Sequence, residues 1–180
     1  MIPGMAPAPY PLWRYYPAWG TPPAWVAEIA GVVNDARPHL DSNAAHLKSN
    51  EALAALADGL RGLGFSVEAK AGRLPRPVLF GDQGAVVKSF NVDAFREKDG
   101  ISVEVEAGGA IYNNRVLFDV FKMSLAVDTR FGLILVPQKY VTPKKEWAEP
   151  YPEALRLFEA LYANPERFKL PLEGLLLVGY

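Results

Sequence analysis

The stretch Ile101-Ser-Val-Glu-Val-Glu106 alternates strictly between apolar and polar residues. In a strand, Ile101, Val103 and Val105 take one face, and Glu104 and Glu106 the other. The preceding segment ends Phe90-Asn-Val-Asp-Ala-Phe95, and Arg96-Glu-Lys-Asp-Gly100 between them is a turn-type sequence. A loop of Asp99-Gly100 alone pairs Asp93 with Glu106, whereas a loop of Glu97 to Gly100 pairs Asp93 with Glu104. Either register gathers three carboxylates on one face. An odd loop length sets Asp93 among the valines, where a carboxylate is costly. Clustered carboxylates repel one another, and a hard divalent cation, Mg²⁺ or Mn²⁺, supplies the counter-charge. Such a cation polarises a phosphodiester, lowers the pKa of an attacking water and stabilises the leaving oxygen. Taken alone, Glu-x-Glu also fits the solvated face of an edge strand. The Asp on the previous strand, and the helix and apolar strand that follow, set it apart.

The next segment carries a second polar pattern. Arg115, Asp119 and Lys122 stand at i, i+4 and i+7 in a helix otherwise full of Val, Leu and Phe. The stripe is either a solvated face or one turned toward the metal. In the second case Lys122 neutralises the scissile phosphate and Arg115 holds its neighbour. Lys70, Arg73, Arg76 and Lys88 form a basic patch that could meet DNA phosphates, though any soluble loop can carry such charge. Lys139, Lys144 and Lys145 form a second one. His39 and His46 have no evident partner.

The elements that position these residues follow from periodicity. Thr21-Pro22 starts a short helix ending near Arg37-Pro38. A second runs from Asp41 or Ser42 to Gly62, with Leu47, Leu53, Leu56 and Leu60 in helical spacing. Phe65 to Glu68 is a strand, residues 69–84 a loop rich in Gly and Pro, and 85–95 and 101–107 two strands. A helix over 114–127, a buried strand at Phe131–Val136, a helix over 152–162 and an apolar ending at 175–178 complete the chain. The fold class is α/β (mixed α+β), a mixed sheet with helices on both sides. Residues 1–25 stand apart, with seven of sixteen prolines and three of four tryptophans, so they form an irregular arm packed on the domain of 26–180 or on a partner.

Composition narrows the classes. With 180 residues, half of them hydrophobic and 22% charged, the chain folds as one domain and is not disordered. No window suits a transmembrane helix and no secretory signal is visible, so a cytoplasmic location is expected. The absence of cysteine excludes disulfides, thiolate zinc sites and thiol nucleophiles. A net charge of −1 gives no global pull toward a polyanion.

The blocks Asn91-Val-Asp-Ala-Phe, Gly100-Ile-Ser-Val-Glu-Val-Glu-Ala-Gly, Asn114-Arg-Val-Leu-Phe-Asp-Val-Phe-Lys122 and Phe131-Gly-Leu-Ile-Leu-Val-Pro137 resemble the PD-(D/E)XK nuclease superfamily. The likeness spans roughly residues 43–137 and is greatest to type II restriction endonucleases of the BamHI/BglII kind. It implies a restriction-endonuclease-like αβββαβ core, Mg²⁺-dependent cleavage of duplex DNA and a homodimer. By position, Asp93 and Glu104 correspond to the metal-binding carboxylates. Glu106 stands where most of the superfamily has a water-orienting lysine, although members of the BamHI type carry glutamate there. The likeness also has the second helix supply a polar residue, for which Glu51 is the candidate.

Three functional readings follow. The first is a Mg²⁺-dependent endodeoxyribonuclease of the restriction type. The second is a DNA-binding or assembly protein that keeps the fold without catalysis, as the missing lysine suggests. A metal-dependent hydrolase of a small phosphoester is third, weakened by the lack of a Gly-rich phosphate cradle.

Overall fold

Along Phe131–Val136, Leu133 and Leu135 join one apolar core while Ile134 and Val136 join another. That strand is therefore sandwiched between two helical layers, which is why it reads as an unbroken apolar run. The computed structural model describes residues 9–44, 46–69, 72–107, 114–141 and 147–180. Its elements are β1 (Leu12–Tyr16), α1 (Ala24–Asp35), α2 (Arg37–Leu40), α3 (Ser49–Gly62), β2 (Ser66–Val67) and β3 (Leu74–Phe80). Then come β4 (Val86–Val92), β5 (Ala94–Arg96), β6 (Ile101–Val105), α4 (Arg115–Leu125), β7 (Phe131–Val136), β8 (Tyr140–Val141), β9 (Trp147–Ala148), α5 (Pro150–Tyr162) and β10 (Gly174–Gly179). A six-stranded mixed sheet runs β1-β10-β7-β6-β5-β2, with β6, β7 and β10 mutually parallel. Trp25, Val26 and Ile29 of α1 and Leu53, Leu56 and Leu60 of α3 cover one face. Val116, Val120 and Met123 of α4 and Ala154 and Phe158 of α5 cover the other. No helix among the described residues is long and apolar enough to cross a membrane.

The sheet bears out the mixed α+β class and corrects three local expectations. The aromatic, proline-rich arm is not irregular: β1 pairs antiparallel with β10 from Leu12↔Gly179 to Tyr16↔Leu175. Its prolines flank the strand, and as an edge strand it makes ladder hydrogen bonds on one side only. The segment expected to be a Gly/Pro loop contains β3, which pairs with β4 as a separate two-stranded ribbon. Pro77 offers its carbonyl to the Val127 N–H, outside the ribbon, at 3.1 Å. Pro75 and Pro77 thus occupy outward positions of β3, where a missing N–H costs the ladder nothing. The strand expected over 85–95 is split, β4 serving the ribbon and β5 the sheet, with the break at Asp93.

Helix starts also move. α1 begins after Pro23 rather than Thr21, and α3 starts at Ser49, because Asp41 instead closes a turn onto the Asn43 N–H at 2.9 Å. At the β5–β6 hairpin, Gly100 adopts φ +66°, and a Cβ there would lie 2.7 Å from the Asp128 carbonyl oxygen. Its own carbonyl accepts from Arg130 N and Phe131 N at 2.8 and 3.0 Å, which ties the turn to the start of β7.

Candidate active site

The hairpin register decides which carboxylates meet. Ala94 pairs with Val103, Phe95 with Ser102 and Arg96 with Ile101, leaving Glu97 to Gly100 as a four-residue loop. Asp93 comes one residue before the first of these pairs, and its carboxyl lies close enough to Glu104 for its charge to be felt there. The Asp93 N–H donates to Val103 O at 3.1 Å, and its Oδ2 accepts from the Val105 N–H at 2.7 Å. Ile101, Val103 and Val105 enter the α1/α3 core, so alternation turns Glu104 beneath α4, where it is only 5% exposed. Burying each of those three side chains contributes about 1.5–3 kcal/mol. Together they offset a penalty of several kcal/mol for one buried carboxylate.

Glu106 lies just past β6. Its N–H donates to Leu135 O at 2.8 Å, and its carbonyl accepts the Tyr180 hydroxyl at 2.7 Å. The rotation of α4 is fixed by Val116, Val120 and Met123 packing on the sheet, which turns the polar stripe onto the acidic residues. Lys122 Nζ is 2.9 Å from Glu104 Oε1 and 2.9 Å from Asp119 Oδ1. Asp119 is 3% exposed. Its Oδ2, and Glu106 Oε2, are buried and meet no hydrogen-bond donor among the described residues. The two carboxyls lie close enough to share a proton. Arg115 Nη1 lies 3.7 Å from Glu106 Oε2, and its half-exposed side chain reaches toward solvent.

Among the described residues four carboxyls face one buried ammonium and one peripheral guanidinium, and burial, with their mutual repulsion, shifts their titration. Burial pushes Asp93 up to about 6, against the Val105 N–H and Lys122. Burial, then the Asp119 charge, pushes Glu106 to about 7 and Glu104 to about 9. Asp119 is also raised by burial, although Lys122 pulls the other way. Burial would lower Lys122, but Glu104 and Asp119 outweigh it and hold it above its ordinary value.

A carboxyl whose folded pKa is raised binds more protons folded than unfolded. Its stabilising contribution is complete below its ordinary pKa near 4 and is lost as pH rises through the folded value. The metal-free protein is therefore expected to lose stability steadily between pH 5 and 9, the window set by folded values of about 6, 7 and 9. Thermal melts in EDTA across that range check this. A midpoint that is flat or rises toward pH 9 contradicts the charge shortage.

The remaining candidates are placed differently. Glu51 accepts the Lys48 N–H at 2.7 Å and caps α3, which packs on the opposite face of the sheet from α4, so it does not join the cluster. Arg76 is committed to Glu97 at 2.8 Å, to Asp128 at 3.2 Å and to the Phe95 ring, a staple at the base of the ribbon. Arg73 lines a groove of about 660 Å³ between α3 and the base of the ribbon, with Asn50, Arg61, Glu68 and Asn91. Lys88 is exposed on β4, over the Phe90 ring. Lys139 lines a smaller recess beside Trp147. Lys70, Lys144 and Lys145 lie outside the described residues.

Asp119 is the site residue that sequence reasoning left without a role. Its signal was its place in the stripe, one helical turn before Lys122.

Among the described residues no three acidic or histidine side chains form a ready-made metal cage. Lys122 instead bridges Glu104 and Asp119. The donor set nevertheless suits a hard cation. All four carboxyls offer oxygen ligands, two of their buried oxygens lack donors, and Mg²⁺ is commonly held by one or two carboxylates plus water and phosphate. No family model and no curated protein matches the chain.

Proposed function

We propose that this protein is a Mg²⁺- or Mn²⁺-dependent endodeoxyribonuclease of duplex DNA, of the type II restriction kind and cytoplasmic. The observation that carries the reading is Lys122 of α4 on Glu104, with the Asp93 carboxyl close by across the four-residue hairpin. With the β3–β4 ribbon read as an insertion, the order α3-β2-β5-β6-α4-β7 of the main sheet supports it, being the αβββαβ order that the PD-(D/E)XK resemblance implies. In this reading Asp93 and Glu104 hold the cation, which supplies Lewis acidity and an activated water. Lys122 takes the part of the lysine absent from position 106, keeping positive charge against Glu104 and the scissile phosphate. Arg115, exposed at the rim, meets a neighbouring phosphate. The test is a gel assay of supercoiled plasmid and phage DNA in EDTA, Mg²⁺ and Mn²⁺. Discrete metal-dependent fragments support the reading. DNA left intact in every lane overturns it.

One observation favours a second reading, a DNA-binding module without catalysis. At the position expected to carry the lysine stands Glu106, whose Oε2, like Asp119 Oδ2, meets no hydrogen-bond donor among the described residues. This reading gives DNA retardation without cleavage, and calorimetric Mn²⁺ binding that disappears in Glu104→Ala counts against it.

Cutting both strands of a duplex is most simply done by a two-fold dimer. Phe118, Phe121 and Leu125 of α4 and Phe80 and Val87 of the ribbon are each 46–62% exposed. The ribbon adjoins the α4 stripe, because Phe90 packs edge-on against Phe118 and Val127 N donates to Pro77 O. Apolar patches of this extent mark interfaces, and a two-stranded ribbon is marginal without something packed on it. The proposed occupant is a second copy of the chain. The double variant Phe118→Asp/Phe121→Asp is expected to be monomeric by light scattering, where the parent is a dimer. A parent that is monomeric at tens of micromolar removes the homodimer.

A further inference from the structure

A lysine ammonium rides on a flexible stem carrying about 2 kcal/mol of rotamer entropy. A lysine that acts at one point must therefore be tethered. Lys122 has two tethers, Glu104 Oε1 and Asp119 Oδ1, each at 2.9 Å. They are not equivalent. Glu104 comes from the strand and, on the reading above, is shared with the cation. Asp119 belongs to the same helix as the lysine, one turn back, so its hold does not depend on what else occupies the site. An exposed i,i+3 pair gives a helix only about 0.2–0.5 kcal/mol. At 3% exposure Asp119 also bears a desolvation cost that helix stability does not require. Its other oxygen, Oδ2, finds no donor among the described residues, and the carboxyl lies against Glu106, the residue in the expected lysine's place.

We propose that Asp119 is a positioning residue: it fixes the Lys122 ammonium against Glu104, so that a lysine from α4 serves where strand β6 lacks one. Asp119 itself does not touch substrate. The catalytic half of this inference rests on the nuclease reading, and the tethering half does not.

The first readout needs no cleavage. Metal-free protein is treated with an acetylating reagent at fixed pH, and modification of Lys122 is followed by peptide mass spectrometry. In the parent Lys122 is among the slowest lysines to react. In the near-isosteric Asp119→Asn it reacts severalfold faster, while the exposed Lys88 is unchanged. Asp119→Ser repeats the measurement should the asparagine variant fail to fold, with circular dichroism reporting the fold. Lys122 that stays as protected as in the parent overturns the inference, whatever the enzyme does to DNA.

The second readout is kinetic. Asp119→Asn lowers kcat by about 10–100-fold with KM little changed, the usual cost of losing an orienting partner. In a Lys122→Met background the same substitution costs nothing further, because its effect runs through the lysine. A full additional loss in that background overturns the positioning role. Should the parent cleave no DNA while Lys122 is released in Asp119→Asn, the nuclease reading falls and the tether stands.

Discussion

Glu104→Ala is expected to lower plasmid cleavage by about three orders of magnitude, the equivalent of several kcal/mol of charge stabilisation at the scissile phosphate. Glu104 is touched by Lys122 from α4 and lies near Asp93 across the hairpin. It stands on β6 beneath α4, at 5% exposure. The loss in cleavage is expected without a loss of fold. In metal-free protein this carboxyl is itself a burden, raised to about 9 first by burial and then by the Asp119 charge. Glu104→Gln keeps the volume and removes the charge, and is expected to melt no lower than the parent at pH 8. The decisive comparison is gel cleavage beside a thermal melt for the parent and both variants. Full cleavage by Glu104→Ala would sink the site. Lost cleavage together with a collapsed melt in both variants would reduce Glu104 to a structural residue.

Lys122→Met works in the opposite direction. It keeps an unbranched side chain of similar length and removes the one ammonium bound to both Glu104 and Asp119. Breaking a buried ion pair from one side costs about 3–5 kcal/mol, because the abandoned charge remains. For a domain of this size that lowers Tm by roughly 10 °C. The cost depends on pH, and its sign can be worked out. At low pH Glu104 and Asp119 take up protons, need no counter-ion, and the variant approaches the parent. As pH rises toward the raised folded value of Glu104, about 9, the carboxyls ionise without a partner and the gap widens. Melts at pH 5.5 and 8.5 check this. A variant as stable as the parent at pH 8.5 would mean that Lys122 does not compensate these carboxyls. Cleavage falls too, and unlike Glu104→Gln this variant loses activity and stability together.

The acidic constellation was legible because strand alternation is strict. Glu104 and Glu106 had to share a face, and the cost of burying Asp93 among valines left two registers. The choice between them lay outside the hairpin's own sequence. Gly100 turns with φ +66° and is held by Arg130 and Phe131, and that tie fixes the four-residue loop. Prolines misled twice. In β1 and β3 they suggested irregular chain, yet each strand tolerates them, β1 with prolines at its ends and β3 with Pro75 and Pro77 turned outward. Propensity describes the isolated residue, and an edge position removes the penalty.

Glu51 and Arg76 show the limit for single charged residues. Both types fit a catalytic or phosphate-binding role, and both were taken locally, Glu51 by a helix N-terminus and Arg76 by two acids and a ring. Asp119 shows the converse. Its spacing from Lys122 was visible, but the direction of the stripe depended on which face of α4 the sheet would accept.

The mixed fold class, the division of faces along Ile101–Glu106 and the apolar strand beside it follow from periodicity within a few residues, so local pattern suffices for them. Long-range packing brings Asp93 near Glu104, turns Asp119 and Lys122 of α4 inward, and gathers the carboxyls about one buried ammonium among the described residues. Those facts depend on helix rotation, loop anchoring and desolvation. Each is set by side chains packing across the whole domain, at distances the local pattern does not encode.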